Sequence, residues 1–302
     1  MLAIIIPYYK LTFFEATLKS LANQTDKRFK VYIGNDASLE NPEAVLNKFS
    51  ASFKFEYKKF EKNLGSLSLT QQWERCIAMS KSEEWLMVLG DDDVLGKNVV
   101  ETFYRHINTV SKQNINLIRF ASQIINDTGK ETSKVYINPE LEKATDAYFK
   151  KFKWEARSSL SEYIFSRKNF EAFGFTHFPL AWHSDDKAWL DFTKGGLIYS
   201  VNEAIIQIRE SNESISGKTD NINLKTKSTA LFLQNTLINK SYMFSKHQKT
   251  HFLFDFGEHI KEVEKINLKN TFIVFYGFLK MGSFYNGFRF LRRMYRAKFL
   301  KK

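Results

Sequence analysis

The sequence predicts a doubly wound, mostly parallel α/β sheet flanked by helices, with a helical C-terminal extension. Three observations carry this. Trp85 to Leu89 are five apolar residues in a row, the mark of a parallel strand covered on both faces. Strand-like runs at Ala3–Tyr9 and Lys30–Gly34 precede it, separated by helix-length stretches, and such alternation builds parallel sheets. From about Gly217 onward, apolar residues such as Leu231, Leu233, Leu237 and Ile238 fall at helical spacing.

Taken in order, Ala3-Ile4-Ile5-Ile6-Pro7 is a short apolar run closed by proline, which ends ladder bonding. It is expected to be the first, central strand. Phe14, Leu18 and Leu21 recur at helical spacing, and Asn23-Gln24-Thr25 stops that helix. Lys30–Gly34 delivers Asn35-Asp36-Ala37-Ser38 to the same sheet edge. Phe53 to Phe60 alternates as a half-buried strand, Asn63-Leu64-Gly65 turns, and a helix over Ser66–Ser80 leads into Trp85. Ile115–Ile125 is expected as another strand, with Asn126-Asp127-Thr128-Gly129 a hairpin turn into Val135-Tyr136-Ile137. Glu140 to Lys153 is helix-like and charged, as on a surface, and Ile206–Arg209 is a late strand.

Three carboxylates, Asp91, Asp92 and Asp93, follow the Trp85 strand at once. Ligands of open α/β sheets bind at the carboxyl ends of strands. Adjacent carboxylates repel, and a divalent cation removes the repulsion. Magnesium takes one or two carboxylates and completes its shell with water and phosphate oxygens. The plainer reading is a solvated acidic turn capping a helix near Lys97. No G-x-G-x-x-G follows the first strand, and no G-x-x-x-x-G-K-[ST] loop is present. Phosphates bound here need a metal rather than a glycine loop.

The 302 residues, 43% hydrophobic and 26% charged, exclude a disordered chain. Cys76 is the sole cysteine, so neither an internal disulfide nor a multi-cysteine zinc site is available. Met1 leads directly into a strand-like run, which sets the expectation of a cytoplasmic protein. The net charge of +12 is lopsided: residues 1–220 carry 29 basic and 29 acidic side chains, residues 221–302 carry 16 and 4. The excess in the last quarter points to an anionic partner surface. No stretch approaches the roughly 20 apolar residues a spanning helix needs.

Ile4-Ile5-Ile6-Pro7-Tyr8-Tyr9, Ser20-Leu21-Ala22-Asn23-Gln24-Thr25, Asn35-Asp36-Ala37-Ser38, Asn63-Leu64-Gly65 and Leu89-Gly90-Asp91-Asp92-Asp93 resemble the successive motifs of family 2 glycosyltransferases. Five motifs in order over about 95 residues are far more specific than any one of them. The resemblance implies a GT-A fold and a nucleotide-sugar donor. It implies that Pro7 and Tyr8 line the nucleotide pocket and that Asp36 accepts a hydrogen bond from the base, uracil N3–H. Asp91 would contact the ribose, and Asp92 would reach the diphosphate through Mg2+ or Mn2+. Asp93 would support the metal or cap the next helix. For Asp36 the alternative is a turn residue bonding its own backbone.

Ser158–Ser161, Ile164–Arg167 and Phe173-Gly174-Phe175 resemble the family segment leading to its catalytic acid, and Trp182-His183-Ser184-Asp185-Asp186 the acid itself. Family members carry Glu-Asp there at a helix start, with Asp as base. Here Asp186 is the first choice and Asp185 the second, for a carboxylate that takes the acceptor hydroxyl's proton. The alternative is an N-cap pair without chemistry. His183 would bond an acceptor sugar or the donor phosphate and Trp182 would stack on a sugar face, both as acceptor-binding residues, or the two would pack at a domain edge. Arg209 is a phosphate contact or an ion-pair partner. Relatives often have a histidine two residues after it, where this chain has Ser211, so any metal would rely on Asp92 and the diphosphate.

From Gly282 to Lys302 there is no acid. Phe284, Phe288, Leu291, Tyr295 and Phe299 lie on one helical face, with Arg289, Arg292, Arg293, Arg296 and Lys298 around the rest. Such a helix suits an anionic membrane surface, seating the protein peripherally on the inner face of the cell membrane. Otherwise it packs on the preceding domain with its cations in water. Nucleic acid is not expected, since no binding motif accompanies the charge.

The resulting expectation is a GT-A domain over 1–216, with a donor half 1–114 and an acceptor half 115–216, and a basic helical extension over 217–302. The expected reaction is metal-dependent, inverting transfer from a UDP-sugar to a saccharide or lipid-linked saccharide acceptor in surface polysaccharide or glycan assembly. The rival readings are a sugar nucleotidyltransferase and a non-catalytic, membrane-associated saccharide- or nucleotide-binding protein.

Overall fold

The computed structural model describes every residue except 213, 216, 264–267, 301 and 302. It divides into two compact units: Met1–His177 with Ser184–Lys218, and Phe178–His183 with Thr219–Lys302. The chain passes from the first to the second two residues beyond the expected boundary. The short segment Phe178–His183, expected with the sheet, belongs with the C-terminal helices.

In the first unit, β1 (Leu2–Tyr8), α1 (Phe14–Ala22), β2 (Phe29–Asn35), α2 (Glu43–Lys48), β3 (Phe55–Lys59), α3 (Leu69–Ile77) and β4 (Trp85–Val88) alternate. Their strands pair in parallel in the order β3-β2-β1-β4. β1 and β4 bury both faces, which is why they are apolar without alternation. β3 is the half-exposed edge.

Next come β5 (Val94–Leu95), α4 (Val99–Lys112), β6 (Leu117–Ile125), β7 (Leu141–Lys143), α5 (Ala144–Phe152), β8 (Tyr163–Ser166), α6 (Arg167–Phe173), α7 (Ser184–Thr193) and β9 (Leu197–Arg209). The sheet continues β4-β8-β6-β9-β5, with β7 also on β9. β1 to β4, β6 and β9 point one way, and β5, β7 and β8 run against them. The sheet is therefore mixed and mostly parallel.

Two expected elements differ. Glu140–Lys153 is not one surface helix: Leu141–Lys143 is strand and the helix begins at Ala144. Arg119 of β6 is only 1% exposed, and Glu142 meets its guanidinium at 2.7 Å. A buried cation requires a buried partner, so this stretch is drawn onto the sheet. The Asn126 turn forms, with the Asn126 side chain accepting from the amides of Thr128 and Lys130. Its second arm makes only isolated bridges, Ser122 to Tyr136 and Ile125 to Glu131.

The second unit contains α8 (Ile222–Asn239), α9 (Lys246–Val263), α10 (Leu268–Lys280) and α11 (Phe284–Phe299). Phe232, Phe252, Val274 and Phe278 are completely buried in it. α11 turns Gly287, Phe290 and Met294 inward, and Phe290 packs against Phe278 at 6.2 Å.

Candidate active site

The site is built where β1, β2 and β4 end. Strand alternation decides which β1 side chains reach it. Leu2, Ile4, Ile6 and Tyr8 share the core face. Tyr8, expected in the nucleotide pocket, is completely buried against Phe14 with ring centroids 4.7 Å apart. Its hydroxyl donates to the Glu40 carbonyl, and burial pushes its pKa well above the usual phenol range. Pro7 is half-buried at the strand end, and the exposed ring there is Tyr9.

Asp36 lies just past β2 and is buried. It does not bond its own turn. Its carboxylate accepts from the amides of Leu64 (2.7 Å) and Gly65 (2.8 Å) and pairs with Arg75. Arg75 in turn lies over the Phe60 ring, 3.9 Å from its centroid. A Cβ on Gly65 would stand 2.5 Å from the Asp36 carboxylate, so only glycine permits the approach. The Asn63-Leu64-Gly65 motif thus holds Asp36 in place.

The acidic triplet follows β4. Asp91 accepts from the amides of Tyr9 (2.7 Å) and Lys10 (2.9 Å), binding the end of β1 to the end of β4. Burial nonetheless raises its pKa, with those amides opposing. Asp93, buried, accepts the Arg209 amide at 2.9 Å and a Ser161 hydrogen bond. It does not cap α4, whose N-cap is Asn98. Burial pushes the Asp92 carboxyl up to about 8, with the charges of Asp93 and Asp91 adding to it. No described side chain hydrogen-bonds or pairs with the Asp92 carboxylate.

The donor set fits a hard divalent cation. A Cβ on Gly90 would stand 2.8 Å from an Asp92 oxygen and 3.0 Å from an Asp93 oxygen. The two carboxylates therefore converge over a bare backbone position. Among the described residues no group of three His, Cys, Asp or Glu side chains is arranged to hold a metal alone. Two carboxylates leave the remaining positions to water and phosphate, as Mg2+ and Mn2+ accept. Arg209, buried, donates to the carbonyls of Asp92 (3.0 Å) and Asn126 and covers the Phe13 ring at 4.3 Å. Ser211, at the position expected to lack a histidine, bonds Ser214 in a turn.

One polar face of α1 braces this loop. Thr17 donates to the Asp93 carbonyl (2.8 Å), Ser20 accepts the Leu95 amide (3.1 Å), and Gln24 joins the Gly96 carbonyl and Val100 amide (2.8 and 3.1 Å). The Thr25 amide donates to the Lys97 carbonyl. Their spacing along α1 puts these side chains on one side of the helix. This is the physical content of the Ser20–Thr25 motif. Thr17 joins Ser20 in this role, and the signal for it in the sequence is a polar residue one turn before Ser20.

The second acidic pair opens α7. Asp186, expected as the first-choice base, is buried and accepts Lys151 Nζ at 2.7 Å. Burial works against the Lys151 ammonium, but the carboxylates of Asp186 and Asp185 outweigh it and hold its pKa above the usual range. Asp186 lines a small cavity with Arg119, Lys151, Ser158 and Tyr163. Asp185 is half-exposed. The two acidic clusters connect through one short stretch. Ser161 accepts the Gly90 amide (3.0 Å) and bonds Asp93, while Tyr163 stacks on Trp189 of α7 at 4.4 Å.

Trp182 and His183, expected at an acceptor, engage α8 within the second unit. The Trp182 carbonyl accepts from Ser228 (2.6 Å) and Lys225 lies over its ring at 5.0 Å. His183 stacks on Phe232 at 4.9 Å and bonds Thr229. Sequence reasoning missed Trp154. It closes α5 with φ +61°, and the Glu155 amide bonds back to Lys150. Glycine usually fills this left-handed cap position. Trp154 is nevertheless 94% exposed.

The sequence profile of glycosyl transferase family 2 matches residues 3–173. The chain belongs to this family and is a glycosyltransferase. No curated protein is similar enough in sequence to match. Among solved structures it is similar to S. aureus TarS 1-349 in complex with UDP-GlcNAc, at 13% identity and TM-score 0.64, over 98% of this chain and 90% of that one. The TarS 1-349 complex with UDP gives 13% and 0.55, over 97% and 91%. A further TarS structure gives 12% and 0.61, over 98% of this chain and 54% of that one. These likenesses concern the fold.

Proposed function

We propose that this family 2 glycosyltransferase moves a sugar from a UDP-sugar to a saccharide hydroxyl with inversion, using Mg2+ or Mn2+, in surface polysaccharide or glycan assembly. The observation that carries the reading is Asp92, a half-buried carboxyl pushed up by desolvation and then by the charges of Asp93 and Asp91, and converging with Asp93 over Gly90. The TarS complexes with UDP-GlcNAc and UDP support the choice of nucleotide.

Asp36, held by Leu64, Gly65 and Arg75, presents its remaining lone pairs to the base. Asp91 faces the ribose. A bound divalent cation on Asp92 and Asp93 would neutralise charge on the departing diphosphate. Asp185 takes the acceptor proton as the hydroxyl oxygen bonds the anomeric carbon and the bond to the diphosphate breaks. Asp185 is preferred to Asp186 because it is half-exposed, whereas Asp186 is buried against Lys151. The exposed Trp154 ring, three residues beyond Lys151, offers an acceptor sugar a stacking face.

The test is release of nucleoside diphosphate from common sugar donors with manganese, with the anomeric configuration of product followed by NMR. UDP release that Asp92→Asn and Asp185→Asn each abolish supports the proposal. No release from any donor, or full activity in Asp185→Asn, overturns it.

A further inference from the structure

α10 and α11 each carry an apolar stripe that the second unit does not bury. On α11, Phe284, Phe288, Tyr295 and Phe299 are all roughly three-fifths exposed. They fall within an arc of about 60° at the 100° per residue of an α-helix. The face α11 packs inward is a different one, Gly287, Phe290 and Met294. On α10, Leu268, Phe272 and Tyr276 recur every fourth residue, all exposed, while Asn270, Val274 and Phe278 are buried. Phe275 of α10 meets Phe288 of α11 at 5.9 Å, joining the two stripes.

The six exposed rings amount to an apolar surface on the order of 600 Å², at the upper end of what monomers leave in water. Charge runs beside it. Leu268 to Leu300 contains Lys269, Lys280, Arg289, Arg292, Arg293, Arg296 and Lys298 and no acid. Around α11, Arg292 and Arg296 border the aromatic arc on the side away from the buried face, while Arg289 lies over Phe254 of α9 at 5.6 Å.

We infer that the outer faces of α10 and α11 seat the protein on an anionic lipid surface. Rings at the level of the headgroups with arginines reaching lipid phosphates satisfy both halves of the patch at once. A second copy seated on the same face would bring like charges together. A nucleic acid would satisfy the cations but leave the aliphatic and aromatic stripe without apolar cover. No helix among the described residues is long and apolar enough to cross a membrane, so the contact is one of lying on the surface. The inference is independent of the transfer reaction, because none of its residues belongs to the active site.

The test is sedimentation of the full chain with vesicles of phosphatidylcholine alone and of phosphatidylcholine mixed with phosphatidylglycerol. Binding is expected to the mixed vesicles, to weaken with added salt, and to be at least about tenfold weaker on neutral ones. The combined Phe284→Ser, Tyr295→Ser and Phe299→Ser chain should lose about tenfold or more on mixed vesicles. The combined Arg292→Glu and Arg296→Glu chain should lose the preference for anionic lipid. Both sets alter exposed residues, so melting temperature and donor hydrolysis should stay those of the wild type. Equal binding to both vesicle types, no binding, or binding untouched by either set overturns the inference. So does a dimer in light scattering that the aromatic substitutions dissolve, since the patch would then face another copy.

Discussion

The protein carries two runs of consecutive aspartates, and they are treated oppositely. Asp186 in the second run has a lysine partner, Lys151, at 2.7 Å. Asp92 in the first run bonds none of the described side chains, and desolvation, with the charges of Asp93 and Asp91 adding and Arg209 opposing, pushes its carboxyl up to about 8. A buried charge that the chain neutralises itself is part of the fold. A buried charge left for something else to neutralise marks where that something binds. The contrast is the physical ground for proposing a cation at the first run.

Breaking the first run should have the largest effect. Asp92→Asn is expected to reduce donor turnover by about 10³-fold or more, equivalent to about 4 kcal/mol, measured as nucleoside diphosphate release with manganese. In metal-free protein the same change should raise the melting temperature, because it removes a repelled charge. The pH dependence sharpens this. A carboxyl whose folded pKa exceeds its unfolded value stabilises the fold while protonated, and that stability is lost as pH rises through the folded value. Metal-free wild type should therefore lose melting temperature between about pH 4 and pH 8, and Asp92→Asn should flatten the slope.

Within the second run, the two aspartates should part company. Asp185→Asn is expected to lower transfer on the order of 10²–10⁴-fold and to destabilise less than Asp186→Asn, since Lys151 keeps its bonded partner. Asp186→Asn should mainly destabilise, by about 2–3 kcal/mol, since it strands Lys151, whose side chain is 26% exposed. Equal losses of activity and stability in both variants would erase the distinction. Gly65→Ala should raise the donor KM about tenfold by displacing Asp36, with about 1 kcal/mol of destabilisation in urea unfolding. The smallest effect is expected from Trp154→Gly, which relieves the left-handed cap and should add about 1 kcal/mol of stability. Acceptor KM should nonetheless rise severalfold, and Trp154→Phe should restore it.

Sequence was most informative where one physical demand dominates. β1, β2 and β4 are buried on both faces, so their apolar runs and the polar residues after them were plain. The triplet, Asp36 and Gly65 were visible for the same reason. That Tyr8 turns to the core was not legible, because a run apolar throughout hides which residue faces inward, and only the alternation of Ile4, Ile6 and Tyr8 in the sheet shows it. Glu142 could not be paired with Arg119 from sequence, since their neighbourhood depends on β6 and β7 both meeting β9. Trp182 and His183 fall beside the acids in sequence, yet their rings serve α8. On α11 the aromatic stripe was legible, but not that Phe290 and Met294 would take the inward side.

The bonds that Thr17, Ser20 and Gln24 send to the backbone from Asp93 to Val100 have a consequence for turnover. With the cleft empty the three carboxyls crowd one another, and burial holds their pKa values above the usual range. A slack loop would let them splay apart, and each new substrate would have to gather them again. Here α1 and Gln24 hold the loop against that relaxation, so the cost of crowding the acids is met during folding, and a ligand arriving at the proposed site would find the carboxyls already gathered.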